Sequence, residues 1–242
     1  LMGATGMAGQ AVFEEATKRG HAVTAIVRDA DKAREKLGSD ATILVGDLFE
    51  MHADVFEEFD VVVNAFANHK DAYLNLDALT HLLHEFRRLQ TRIIFILGAA
   101  SLVQANGTRL FDFLKELPGN EAWIDEPRYG VLELEILRAT PDVFWTGVSP
   151  QQNFVPGPAT AHRTAKDDLL LAEDGKSHVT AGNMAGGGFL GIVIWRWVCW
   201  MKSKHQSTSA NGSQFQICNR EPLKIHSDVG LFLYLKTLGV II

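Results

Sequence analysis

Gly3-Ala4-Thr5-Gly6-Met7-Ala8-Gly9 is a glycine-punctuated turn that feeds straight into a helix at the beginning of the chain. Glycines three apart meet three needs: a sharp turn, close approach of the backbone to a ligand, and close packing of the new helix on a sheet. Free N–H groups of the helix's first turn and the positive end of its dipole converge on one point, where a pyrophosphate can sit without a dedicated lysine. The expected occupant is a dinucleotide. The same spacing also arises in unrelated loops, so the sequence around it has to decide the reading.

Outward from the motif, helix and strand alternate with short loops. Gly6 to Arg19 reads as a helix, with Ala8, Val12, Phe13 and Ala16 at helical spacing and Gly20 as its stop. His21 to Arg28 is a strand rich in β-branched residues, Asp31 to Leu37 a short helix closed by Gly38, and Ala41 to Val45 a second strand running into Gly46-Asp47. Val61 to Ala65 and Arg92 to Leu97 are buried strands flanking a long helix over Asp71 to Leu89. Leu110 to Leu117 and Arg128 to Arg138 are helices, and Val143 to Val148 is a strand broken by Pro150. This order predicts an α/β fold, a Rossmann-type doubly wound parallel sheet with helices on both faces. Such a fold needs about five residues of buried strand before its glycine turn. Only Leu1 and Met2 stand there, so the first strand is expected to be truncated and the sheet weakened.

At 242 residues and 47% hydrophobic, the chain can bury a sizeable core. A net charge of −6 and a pI near 5.8 argue against a nucleic-acid binder. The two cysteines, Cys199 and Cys218, form no CxxC pair, which argues against a disulfide framework and a thiol zinc site. No charged-then-apolar leader precedes the motif, so a cytoplasmic protein with a small-molecule substrate is expected.

The end of the second predicted strand bears on the choice of dinucleotide. An acidic residue there would accept from the adenosine ribose hydroxyls and repel a 2′-phosphate. Here the strand ends in Arg28, whose guanidinium can fork onto that phosphate, with Lys32 a turn further on. Asp29 pulls the other way unless it points elsewhere or caps the helix starting near Asp31. The balance favours NADP, with NAD as the alternative.

These motifs together resemble the NAD(P)H-binding, NmrA-like atypical short-chain dehydrogenases. The likeness rests on Gly3-x-x-Gly6-x-x-Gly9, the Ala25-Ile26-Val27-Arg28 strand end, Gly46-Asp47-Leu48, Gly98-Ala99-Ala100-Ser101-Leu102, Trp145-x-x-Val148-Ser149-Pro150 and Phe154-x-Pro156-Gly157. It extends through Leu169-Leu170-Leu171 and Gly175-Lys176-Ser177 to about Ala185. Within that group the chain is most similar to members described as NADH-flavin reductases and to biliverdin reductase B-like proteins. The resemblance implies that Gly3, Thr5, Gly6, Met7, Ala8 and Gly9 carry the pyrophosphate, Arg28 the adenosine phosphate, Asp47 and Leu48 the adenine, and Phe66 and Ala67 the nicotinamide-side ribose. It implies a hydride passed to a flavin or similar planar acceptor. The alternative is a non-catalytic redox sensor of NmrA-like type.

Short-chain dehydrogenases of the ordinary kind use Tyr-x-x-x-Lys, in which the lysine lowers the tyrosine pKa. Here Tyr129 is followed by Glu133, which would raise the phenol pKa and disfavours that mechanism. Ser101 lies where the family's serine lies and is a candidate to touch substrate or nicotinamide, or a loop serine serving its own backbone. With Tyr129 and Ser101 as the catalytic candidates, positioning chemistry is expected, since hydride to a ring nitrogen needs no dedicated acid.

His81, His84 and Glu85 share a predicted helix face, but no third ligand accompanies the histidines, and no metal is expected. Asp167, Asp168, Glu173 and Asp174 read as surface, Trp145 and Phe154 as core more readily than as an acceptor wall. Two parts are expected: residues 1–185 as the dinucleotide domain and 186–242 as an atypical C-terminal segment. The first holds 17 Lys and Arg against 27 Asp and Glu, the second six against two. Phe189 to Met201 is apolar except for Arg196, yet shorter than the about 20 residues of a membrane helix. Gln214 to Cys218 resembles the family's last strand, and the apolar tail from Leu231 should pack somewhere.

Overall fold

The computed structural model describes residues 1–161, 163–186 and 230–235. The glycine turn leads into α1 (Met7–Lys18), whose Gly9, Val12, Phe13 and Ala16 face inward. Then follow β1 (Thr24–Val27), α2 (Ala30–Leu37), β2 (Thr42–Val45), the one-turn α3 (Ala53–Phe56), β3 (Val61–Asn64) and α4 (Tyr73–Phe86). After β4 (Arg92–Ile96) come the short α5 (Leu110–Leu114), α6 (Asp125–Ala139) and β5 (Trp145–Ser149).

β1 pairs with β2, and β3, β4 and β5 pair in order, all parallel. Leu1 and Met2 lie between these two groups. Met2 bridges Ile26 on one side and Asn64 on the other, both in parallel register. Its N–H donates to Val63 O at 2.9 Å and its carbonyl accepts from Ala65 N–H at 3.1 Å, while Ile26 N–H donates to Leu1 O at 2.9 Å. The strand order is therefore β2, β1, Leu1–Met2, β3, β4, β5. This is a Rossmann-type α/β sheet, and the two residues ahead of the glycine turn hold the position of its central strand.

β4 and β5 are buried almost throughout, as parallel strands covered on both faces must be. Phe56, Leu79, Leu82, Phe86, Leu137 and Trp145 form one apolar layer, and Val12, Ala16, Val63, Ile94, Val148 and Met184 the other. Trp145 is thus core, and Phe154 packs against the second layer. α6 begins at Asp125 rather than Arg128, because Pro127 falls in the first turn, where a helix needs no N–H. His81 Nε2 meets Met51 O at 2.8 Å and Glu85 accepts from Ala53 N–H at 2.8 Å, so this face of α4 anchors the start of α3.

Beyond β5 lie β6 (Asn153–Val155), β7 (Arg163–Ala165), β8 (His178–Thr180), the one-turn α7 (Ala181–Asn183) and β9 (Gly230–Leu235). β6 pairs with β8, and β9 runs antiparallel to β5 and parallel to β7. The expected apolar run 189–201 and the strand at 214–218 lie outside the described residues. Among the described residues, no helix is long and apolar enough to cross a membrane.

Candidate functional site

The three motif glycines divide their duties. Gly3 has φ of +69°, and a Cβ on it would stand 2.4 Å from Ala65 O, so it makes the turn out of the sheet. A Cβ on Gly9 would stand 2.1 Å from Gly3 O and 2.8 Å from Ala4 Cα, so Gly9 lets α1 lie against the turn that precedes it. Gly6 differs: a Cβ there meets only Gly3 O, at 3.4 Å, and otherwise open space. Gly6 is the N-cap of α1, and with no side chain it leaves the amides of the first turn, at Met7 and Ala8, uncapped. The cradle fits an anion approaching from outside.

Beside this turn, a cavity of about 230 Å³ opens at the C-terminal ends of β1, β2 and β3. Of the residues expected to hold a dinucleotide, it brings together Gly3, Thr5, Arg28, Asp47, Leu48 and Phe66. Gly6, Met7 and Ala8 follow Thr5 directly as the start of α1, and Gly9 faces the turn. Ala67 is exposed and does not line the cavity.

The conflict between Arg28 and Asp29 resolves locally. Asp29 Oδ1 accepts from the N–H groups of Asp31 and Lys32 at 3.1 and 3.0 Å, so it caps α2 from a place on the cavity wall that it shares with Arg28 and Lys32. Asp47 likewise accepts from Phe49 N–H at 3.0 Å, which fixes the loop after β2. Two neighbours of the cavity escaped the sequence reading. Phe49 stands edge-on to Phe66, ring centroids 5.9 Å apart, making an aromatic corner suited to a purine. Lys36 Nζ donates to Thr5 O at 2.9 Å and brings an ammonium to the glycine turn. A run of exposed polar helix gave no signal for Lys36, and Phe49, between the apolar Leu48 and Met51, reads as one more core residue.

Ser101 and Tyr129 stand apart from this cavity. Ser101 ends a single 3-10 turn after β4, is 5% exposed, and its Oγ has no hydrogen-bond partner among the described residues. Tyr129 is half-buried on α6, next to Gly130, whose missing side chain brings the helix close to Gly98. Burial and the carboxylate of Glu126 push Glu133 up to about 7 from 4.5. The folded chain therefore holds this proton more tightly than the unfolded chain, so stability falls as pH rises from about 4.5 to 7. Glu133→Gln is expected to flatten that slope and to gain about 2 kcal/mol at pH 8, a value discounted for the group's partial exposure. Thermal melts across that range check it; parallel profiles for the two proteins would refute it.

Comparison with known proteins agrees with this geometry. Residues 3–178 match the family described as NAD(P)H-binding. The uncharacterized protein YwnB of Bacillus subtilis is 35% identical over 191 residues, covering 76% of this chain and 87% of that one. A Lactobacillus casei crystal structure is 31% identical, with a TM-score of 0.70 and 98% of each chain covered. Another, from Streptococcus pneumoniae, described as "a putative NADH-flavin reductase", is 27% identical, with a TM-score of 0.67 and 97% of each covered. A glycine turn that opens only at Gly6, an uncapped helix behind it, and a match that runs from that turn to the start of β8 place the chain in the NAD(P)H-binding family.

Proposed function

We propose that the chain is a cytoplasmic NAD(P)H-dependent reductase, preferring NADPH, that passes hydride to a flavin or similar planar acceptor. The observation that carries the coenzyme reading is the cavity wall: Arg28 and Lys32 line it, and Asp29, which lines it with them, has its Oδ1 engaged in capping α2. Two cations beside a carboxylate whose Oδ1 is already engaged by two backbone N–H groups suit a 2′-phosphate better than a bare ribose. The acceptor reading draws on the Streptococcus pneumoniae relative's description.

When bound, the dinucleotide supplies a hydride, and with it two electrons, from its nicotinamide. The chain's own part is to hold and orient. Gly3, Gly6, Met7 and Ala8 would present backbone to the pyrophosphate, Arg28 and Lys32 would take the adenosine phosphate, Asp47 and Leu48 would enclose the adenine, and Phe66 would stand on the nicotinamide-side ribose. Ser101 offers a desolvated hydroxyl next along the sheet. Glu133, in place of a lysine, leaves Tyr129 without the cation that would acidify it, so proton delivery falls to solvent. That substitution also favours a second reading, a redox sensor that binds the dinucleotide without turnover.

Calorimetric titration with NADPH and NADH, followed by flavin-dependent NADPH oxidation on the same sample, separates the readings. Sustained oxidation that requires flavin supports the reductase, and tight binding without oxidation supports the sensor. Arg28→Ala is expected to weaken NADPH by about 10- to 100-fold, the worth of a charge-assisted forked contact, and NADH by less than about twofold. Equal losses for the two coenzymes would refute the role given to Arg28.

A further inference from the structure

Gln151 is 1% exposed, immediately beyond the end of β5. Its Oε1 accepts from Leu170 N–H at 2.9 Å and from Ser177 Oγ at 2.8 Å. These bonds fix the amide's orientation, since turning it over would set N–H against the Leu170 N–H. Nε2 is left buried with no hydrogen-bond partner among the described residues. An unmet buried donor costs about 1–3 kcal/mol. Ser101 Oγ is in the same condition at the end of β4.

The two atoms belong to one neighbourhood. β4 and β5 are adjacent and parallel, and the pairing continues past β4 with Leu97 N–H to Val148 O at 2.8 Å. Val103, two residues beyond Ser101, exchanges hydrogen bonds of 2.7 Å with Asp167 O and Leu169 N–H. Leu170, next along that segment, is the residue bonded to Gln151. Both orphaned atoms thus lie at the C-terminal ends of parallel strands, the end at which this fold receives ligands. The cavity with Arg28 and Asp47 serves the β1–β2 half of the sheet, so in the reductase reading the nicotinamide half of a dinucleotide and its acceptor would extend past Phe66 toward β4 and β5.

We infer that Gln151 is an acceptor-binding residue whose Nε2 donates to a ring carbonyl of a planar hydride acceptor, with Ser101 Oγ as the second polar contact of the same subsite. The inference rests on the reductase reading and narrows its substrate class to conjugated rings that carry a carbonyl, as the isoalloxazine does. Leu170 is half-buried and its neighbour Leu171 is 49% exposed. Nε2 is reached when the segment that carries Leu170 moves aside, the bond from Ser177 Oγ to Oε1 then holding the amide in place.

The test is equilibrium binding in the presence of saturating NADP⁺, using riboflavin as the carbonyl-bearing probe and phenazine as a planar tricycle without a carbonyl. Gln151→Met removes the donor but also the acceptor for Leu170 and Ser177. Gln151→Glu keeps the acceptor and removes only the donor at neutral pH. Both variants are expected to lose at least about tenfold in riboflavin affinity and to bind phenazine and NADP⁺ as before. Acidification through the carboxyl's titration should restore riboflavin binding to Gln151→Glu alone, because the protonated acid again donates, while phenazine affinity stays constant over the same range; a merely structural role would move the two probes together. Riboflavin affinity within about twofold of the parent in both variants overturns the inference and leaves the reductase reading standing. Loss of NADP⁺ binding in the parent protein itself would instead overturn the reductase reading and the inference with it.

Discussion

Gly6→Val is expected to reduce affinity for NADPH and NADH alike by at least about a hundredfold while leaving the protein folded. The geometry separates these two outcomes. A Cβ at Gly6 contacts only Gly3 O, at 3.4 Å, with φ of −81° that any residue adopts, so the fold has room for it. Its two methyl groups would project over the uncapped amides of α1, where a diphosphate must come within hydrogen-bond reach. Titration calorimetry together with a thermal melt decides the matter. A well-folded variant that binds either coenzyme normally would remove the site.

Gly9→Ala is expected to do the opposite, with a large cost in stability from a single methyl group. Here the added carbon would stand 2.1 Å from Gly3 O and 2.7 Å from Gly3 C, both backbone atoms held by the turn at positive φ. Relief requires moving α1 away from the sheet, and with it Val12, Ala16 and the layer they form with Ile94 and Val148. The expected loss is on the order of 3–5 kcal/mol, or about 10 °C or more in melting temperature for a chain of this size. A melt within about 2 °C of the parent would show that the helix is not held as described.

Much of the sheet was legible because its strands are short apolar runs bounded by glycine or charge, and parallel burial on both faces writes itself as unbroken Val, Ile and Phe. Arg92 to Ile96 and Val61 to Asn64 are of this kind. Element ends were less legible. Pro127 reads as a barrier until one knows that it falls in a first turn, and the short β6, β7 and β8 have too few residues to show a period. The glycine turn was legible as a motif, but not the division of labour within it, because which glycine faces protein and which faces open space depends on Ala65 and Ala4 across the turn. Gln151 carried no sequence signal: an amide becomes informative only when its surroundings satisfy one end and leave the other bare. The aromatic corner of Phe49 and Phe66 joins loops that follow different strands, and only the strand order brings them together.

Asp29 carries a lesson for anyone redesigning coenzyme choice in this scaffold. The carboxylate that an engineer would first delete, to make the pocket friendlier to a phosphorylated ribose, is also what starts the following helix through two amide bonds. Its removal would fray the segment that presents Lys32, trading about 1 kcal/mol of local order for a charge change the pocket does not need. Productive edits lie on either side of it, at positions 28 and 32, whose side chains can be exchanged without unfastening the backbone that aims them.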